Sequence, residues 1–366
     1  MKIVTIIGAR PQIIKAAMIS NAIERYNAEN KENKIVEWIL HTGQHYDKNM
    51  NEVFFNELEL KKPHWQLNCG GIAGHTKMLA NMLLGIEKAL IEASPDFVIV
   101  YGDTNSTLAG AIAASQLNIP LIHIEAGLRS FNMNMPEEKN RVLTDRLASL
   151  LFCPTYTSVQ NLANENIKEG IFYCGDVMYD AALHYGEMAE KKSEILLRYH
   201  LYGLDYYLCT VHRAENTNNP ERLTQIILAL VEMASEAQPV IFPVHPRTKV
   251  YLDNYNLMPT LATNPSVKLI EPVDYLDMIM LEKNAKMILT DSGGIQKEAY
   301  FQRVPCVTLR EETEWVETVY AGWNQIAGYK TEKILECVRR TPERTEIKEY
   351  GDGKAAEKII NAIVCV

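Results

Sequence analysis

The chain reads as an α/β protein made of two doubly wound domains, and three observations predict this. Its 366 residues exceed the roughly 250–300 at which a single hydrophobic core stops growing. Short, near-continuous apolar runs alternate with helical patterns, as suits parallel strands covered on both faces. This alternation occurs as two successive series, each long enough for its own sheet.

In the first series Lys2–Ile7, Ile35–Leu40, Phe97–Tyr101 and Leu121–Ile124 read as buried strands. Each is followed by loop residues and then a helical pattern. Leu108–Leu117 is one such helix, and another opens at Pro136 and runs to about Leu150. In the second series the strands are Tyr206–Val211, Val240–Pro243, Val267–Ile270, Lys286–Thr290 and Cys306–Leu309, with helices over Glu221–Ala234 and Ile295–Phe301. The boundary is expected near Tyr173-Cys174-Gly175-Asp176, giving domains over 1–172 and 173–350. The last segment, 351–366, carries a helix over Gly353–Val364 that is expected to cross back to the first domain.

Composition narrows the class. Hydrophobic residues make up 47% and charged residues 23%, ordinary for a globular protein. A net charge of −9 disfavours a general nucleic-acid binder, which needs a basic face. The N-terminus runs straight into the first strand without the regions of a signal peptide. No apolar run approaches about 18 residues, so no membrane partner is expected. The seven cysteines are odd in number, scattered and lack C-x-x-C, which reads as buried reduced thiols in a cytoplasmic protein. The nine histidines show no ligand spacing of the H-E-x-x-H kind, so no metal site is expected.

In open α/β sheets, ligands bind beyond the carboxyl ends of the strands, so the residues after each strand carry the functional reading. After the first strand, Gly8 permits a tight turn, Pro11 suits a helix start, and Arg10 and Lys15 favour a diphosphate at the positive helix end. There is no G-x-G-x-x-G, which disfavours NAD. The polar loop His41-Thr42-Gly43-Gln44-His45-Tyr46-Asp47 follows the second strand. Asp103 in Tyr101-Gly102-Asp103-Thr104 is either part of a helix cap or a carboxylate aimed at a ligand. Glu125, in His123-Ile124-Glu125-Ala126-Gly127-Leu128-Arg129, is costly to bury unless paired or catalytic. Glu137 and Glu138 open a helix, where they complement its dipole and where Glu137 is spaced to pair with Arg141. If Asp103, Glu125 and Glu137 converge, their pKa values are pushed apart, which yields both an acid and a base.

In the second half, His212 and His245 each follow a strand, where a phosphate or leaving oxygen could be met. The most specific single motif is Thr290-Asp291-Ser292-Gly293-Gly294-Ile295-Gln296-Lys297-Glu298. Gly293 and Gly294 let backbone N–H groups approach an anion, the Ser292 hydroxyl adds a donor, and Glu298 can accept from two ribose hydroxyls. Arg310 follows the last strand and offers a further positive charge.

Together these residues resemble the non-hydrolysing UDP-N-acetylglucosamine 2-epimerase family. The motifs G-x-R-P, T-G-Q-H, Y-G-D-T, E-A-G-L-R, P-E-E-x-N-R, V-H-R-x-E-N and D-S-G-G-x-Q-x-E all occur in order. The resemblance implies two Rossmann-like domains of the GT-B type facing a cleft, in a homodimer. It also implies epimerisation at C2 of a UDP-linked 2-acetamido sugar, by anti elimination of UDP and re-addition, needing neither NAD nor metal. By position, Asp103, Glu125 and Glu137 look like the family's acid/base carboxylates. Arg10, Lys15, His212, Ser292, Gly293, Gly294, Glu298 and Arg310 look like its UDP-contacting or leaving-group residues.

The chain departs from the family pattern at three points. The stretch Ser130–Met135 before P-E-E is short, Thr313-Glu314-Trp315-Val316-Glu317 stands where T-E-R-P-E is usual, and Gly74-His75 lacks the arginine of regulated members. The first two look like the branch acting on UDP-2,3-diacetamido-2,3-dideoxyglucuronic acid. Two other classes would use the same nucleotide cradle: a GT-B glycosyltransferase, which needs no trio of carboxylates, and a non-catalytic sugar-nucleotide sensor. A hydrolysing epimerase would share the elimination.

Overall fold

The computed structural model describes residues 1–44, 55, 57–72 and 74–366. His45, Tyr46 and Asp47 of the loop after the second strand lie outside the described residues. Contacts divide the chain into a unit comprising 1–181 and 348–366 and a second comprising 182–347.

In the first unit, β1 (Lys2–Ile7), β2 (Val36–His41), β3 (Trp65–Gln66), β4 (Phe97–Tyr101), β5 (Leu121–Ile124), β6 (Leu150–Cys153) and β7 (Ile171–Tyr173) form one sheet. Its order is β3-β2-β1-β4-β5-β6-β7 and every ladder is parallel. In the second unit, β8 (Tyr207–Thr210), β9 (Val240–Pro243), β10 (Val267–Ile270), β11 (Met287–Thr290), β12 (Cys306–Thr308) and β13 (Asn324–Ile326) form a parallel sheet in the order β10-β9-β8-β11-β12-β13. Strand order reverses between β1 and β4 in one sheet and between β8 and β11 in the other. Those reversals are the switch points at which ligands of doubly wound sheets bind. The loops there start at Gly8 and Gly102, and at Val211 and Asp291.

The inner strands β1, β4, β5, β6, β8, β9, β11 and β12 are almost wholly buried because helices cover both faces. Val4, Ile6, Leu40, Val98 and Val100 pack with Met82, Ile86, Ala109 and Ala113 from helices. In the second unit, the helix Pro220–Met233 shows how sequence sets packing. Asn219 caps it, its side chain accepting from the N–H groups of Glu221 at 3.0 Å and Arg222 at 3.2 Å. Leu223, Ile226, Ile227 and Leu230 then fall on one face and are buried beside Phe242 and Leu289. Each contributes about 1.5–3 kcal/mol by burial.

Three features differ from the sequence reading. The helix opening at Pro136 stops at Leu147, and Leu150–Cys153 is a strand instead of the helix end. Ala148 turns extended, the Ser149 N–H donates to Leu121 O at 2.8 Å, and the apolar run Leu150-Leu151-Phe152-Cys153 is then buried between β5 and β7. The unit division falls inside the helix Val177–Lys192, after β7 has completed the first sheet, whereas the sequence boundary stood at 172/173. Among the cysteines, Cys337 is half-buried and Cys365 is exposed just beyond the last helix. That helix, Ala355–Val364, belongs to the first unit. Arg25 reaches Glu357 at 2.8 Å, and Asp180 accepts from Ala355 N at 3.1 Å and Ala356 N at 2.8 Å. No helix among the described residues is long and apolar enough to cross a membrane.

Candidate active site

At the carboxyl end of the first sheet, the turns after β1 and β4 are tied together. Gln12 Oε1 accepts from Gly8 N at 2.8 Å and Ala9 N at 3.1 Å, while its amide donates to Tyr101 O at 2.8 Å. Gly8 is required here for close approach, since a Cβ would overlap the hydroxyls of Thr42 and Ser106. Arg10 is the first residue of the helix Arg10–Glu29 and is half-buried. Lys15, one turn on, is buried, and its Nζ pairs with Glu125 Oε2.

Glu125 follows β5 with a φ of +73°, and Gly102 follows β4 with a φ of +61°. A left-handed non-glycine residue costs about 1–2 kcal/mol, so the site stores backbone strain where a carboxylate must be aimed. A Cβ on Gly102 would stand 3.0 Å from Glu125 Oε2 and 3.6 Å from Lys15 Nζ. The ion pair therefore lies against the residue preceding Asp103. A small cavity beside it is lined by Lys15, Glu125, Phe152, Cys174 and Asp176.

Asp103 Oδ2 meets Arg141 Nη2 at 2.5 Å, and its backbone carbonyl accepts from Asn140 Nδ2 at 2.9 Å. Arg141 Nη1 lies 2.8 Å from Glu138 Oε2. Glu138 also accepts from the N–H groups of Ser130 and Phe131, both at 2.9 Å, and from Ser130 Oγ at 3.0 Å. Burial alone would raise the Glu138 pKa, but the Ser130 N–H, the Arg141 guanidinium and the Phe131 N–H outweigh it and hold it low. Glu138 is thus an ionised anchor, 1% exposed, and the neighbouring Glu137 is half-buried. Thr104 supplies the helix cap, accepting from Thr107 N at 3.3 Å, so Asp103 is not consumed as a cap.

Behind this face lies a buried polar network. His123 Nδ1 is 2.6 Å from Asp145 Oδ1, Asp145 Oδ2 is 2.7 Å from Arg129 Nη1, and Arg129 Nε is 2.6 Å from Glu165 Oε1. Burial raises the Asp145 pKa, but His123 and Arg129 lower it more, leaving it below the usual value.

In the second unit, the buried Asp291 organises the loop after β8. It accepts from His212 N at 3.1 Å, Arg213 N at 3.0 Å and Asn216 Nδ2 at 3.1 Å. The His212 and His245 rings lie 5.8 Å apart, and His245 Nδ1 caps the following helix by accepting from Arg247 N at 3.1 Å. Ser292 is the N-terminal flanking residue of the helix Gly293–Phe301 and makes no side-chain cap bond. Its hydroxyl is therefore not used in capping, and the helix N-terminus can receive an anion. A Cβ on Gly293 would overlap Glu314 Oε1, whereas one on Gly294 would sit 3.8 Å from Ser292 Oγ. Glu298 is buried on the same helix. Arg310 is 2% exposed and forms an ion pair with Glu314 at 3.0 Å, so its charge is balanced within the protein.

Sequence reasoning gave Glu138 only a helix-dipole role and Arg141 only a pairing with Glu137, and it had no role for Asn140, His123, Asp145, Asp291 or Gln12. The i,i+3 spacing of Glu138 and Arg141 is a signal for that pair.

Two parallel sheets with nucleotide-type switch points, one bearing carboxylates and the other a Ser-Gly-Gly helix start, define a two-domain Rossmann-like enzyme of the GT-B type. The family model described as UDP-N-acetylglucosamine 2-epimerase matches residues 27–364, and the chain belongs to that family. It is accordingly a UDP-sugar 2-epimerase, an isomerase. A UDP-N-acetylglucosamine 2-epimerase homolog of Methanococcus maripaludis is 51% identical over 99% of both chains. The UDP-2,3-diacetamido-2,3-dideoxy-D-glucuronate 2-epimerase of Pseudomonas aeruginosa is 46% identical over 98% of both. The crystal structure of Methanocaldococcus jannaschii UDP-GlcNAc 2-epimerase in complex with UDP-GlcNAc and UDP is similar with a TM-score of 0.92, at 44% identity over 100% of both chains.

Proposed function

We propose that the chain interconverts UDP-N-acetylglucosamine and UDP-N-acetylmannosamine by anti elimination of UDP and re-addition to the 2-acetamidoglucal. The observation that carries this reading is the Lys15–Glu125 ion pair set against the Gly102-Asp103 turn, with Arg141 holding Asp103. The C2 proton is weakly acidic, so its removal must accompany departure of UDP. Asp103, Glu125 and Glu137 serve as the proton carriers for the two faces of C2. Lys15 orients Glu125, and Arg141 orients Asp103. Arg10, His212, Ser292, Gly293, Gly294, Glu298 and Arg310 hold UDP, and the helix start at Gly293 stabilises the leaving diphosphate. The enzyme works in the cytoplasm as a homodimer and supplies precursors for bacterial surface polysaccharide.

A second reading keeps the chemistry and changes the substrate to UDP-2,3-diacetamido-2,3-dideoxyglucuronic acid. It is favoured by the short Ser130–Met135 stretch, by Trp315, and by the 46% identity to the Pseudomonas enzyme of that name. Incubation with each sugar nucleotide separately, followed by NMR of the anomeric region, decides between them. The substrate that yields a new UDP-linked 2-epimer is the true one. Free UDP and free sugar in stoichiometric amounts would replace both readings with a hydrolysing enzyme, and no reaction with either would favour a transferase.

A further inference from the structure

We infer that His123, clamped by Asp145, is a positioning residue for the proton-transfer chemistry; the inference rests on the role proposed above for Asp103 and Glu125. His123 has no solvent exposure, and both its ring nitrogens have partners. Nε2 lies 2.8 Å from Gly102 O, and a carbonyl only accepts, so Nε2 carries the donated proton. Nδ1 lies 2.6 Å from Asp145 Oδ1, and Asp145 is itself fixed by Arg129 Nη1 at 2.7 Å and Gly127 N at 3.1 Å.

This arrangement pins one residue, Gly102, through the peptide groups on both sides of it. The Gly102 N–H donates to Ile124 O at 2.9 Å, and the Gly102 carbonyl receives His123 Nε2–H. Both bonds come from β5, whose next residue is Glu125. The turn that launches Asp103 is thereby indexed to the strand that launches Glu125. Without the imidazole, the Gly102 carbonyl would lose its donor and its left-handed turn would relax. Displacements of about 1 Å at reacting groups cost about 10²-fold in rate. His123 touches neither carboxylate, so it acts through the backbone alone.

Two conservative variants separate this from general support of the fold. In His123→Gln the amide nitrogen reaches the Nε2 position and can still donate to Gly102 O. In His123→Asn it reaches only the Nδ1 position and serves Asp145 alone. The expected result, per folded molecule, is kcat within about tenfold of wild type for His123→Gln and about 10²-fold lower for His123→Asn. KM and the Kd for UDP should stay within about threefold for both. Equal kcat in the two variants, or a parallel change in kcat and UDP affinity, overturns the inference. Absence of C2 exchange in the wild-type protein overturns the underlying reading instead, and with it this one.

Discussion

Lys15 and Glu125, 110 positions apart in the chain, form an ion pair whose side chains are 6% and 11% exposed. In so shielded a place the lysine does more for the carboxylate than a solvated charge could. Lys15→Met is expected to lower kcat by about 10²–10³-fold. Lys15→Arg keeps the charge and should recover part of the loss. Steady-state kcat for the three proteins checks this; an unchanged kcat for Lys15→Met contradicts it.

Glu138 and Arg141 predict a stability effect. Glu138→Ala removes one of the two carboxylates paired with Arg141, 3% exposed, and leaves it Asp103. The expected loss is about 1–3 kcal/mol in urea unfolding. Because the Glu138 pKa is held below its ordinary value of 4.5, its stabilisation is present above that value and is lost as pH falls through the folded-state value. The variant should therefore show a weaker loss of stability on acidification than the wild type.

Asp180 predicts the opposite slope. Burial, aided by the charges of Asp176 and Asp352, raises its pKa from 3.8 to about 6, despite the N–H groups of Ala356 and Ala355. A raised acid contributes stability that is complete below the unfolded value and disappears as pH rises through the folded one. Between about pH 4 and pH 6 the wild type should lose about 2–3 kcal/mol relative to Asp180→Asn. Melting curves across that range test it, and parallel pH dependence in the two proteins would refute it.

Gly293 and Gly294 adjoin but should differ. Gly293→Ala forces a Cβ onto Glu314, the partner of Arg310, while the Cβ of Gly294→Ala meets only ordinary contacts at 3.8 and 3.9 Å. Calorimetric titration with UDP should show a loss above about tenfold for Gly293→Ala, equivalent to about 1.4 kcal/mol, and a smaller one for Gly294→Ala. Equal losses would mean that Glu314 plays no part in shaping the cradle.

The long apolar strands were legible in the sequence because burial on both faces leaves a continuous signal. The bounds of β1, β4, β5, β9 and β10 agree with the sequence reading. Trp65–Gln66, Ile171–Tyr173 and Asn324–Ile326 were missed because two or three residues carry no period. Leu150–Cys153 was absorbed into a helix for a related reason, since a short apolar run fits either periodicity. At the site, strand-end position and the cost of burying acids singled out Asp103 and Glu125. Their partners were not legible. Arg141 pairs across 38 positions and His123 acts through a carbonyl, relations that only the folded sheet creates. Lys15 read as a phosphate ligand, and the structure adds a carboxylate that a linear pattern could not assign to it.

The most direct test of the central claim is turnover of the accepted UDP-sugar in D2O, read by the C2 proton signal in both epimers. The account predicts deuterium at C2 with the UDP linkage retained, and loss of that exchange in Asp103→Asn while UDP still binds. An epimer that forms with its original C2 proton intact would contradict it.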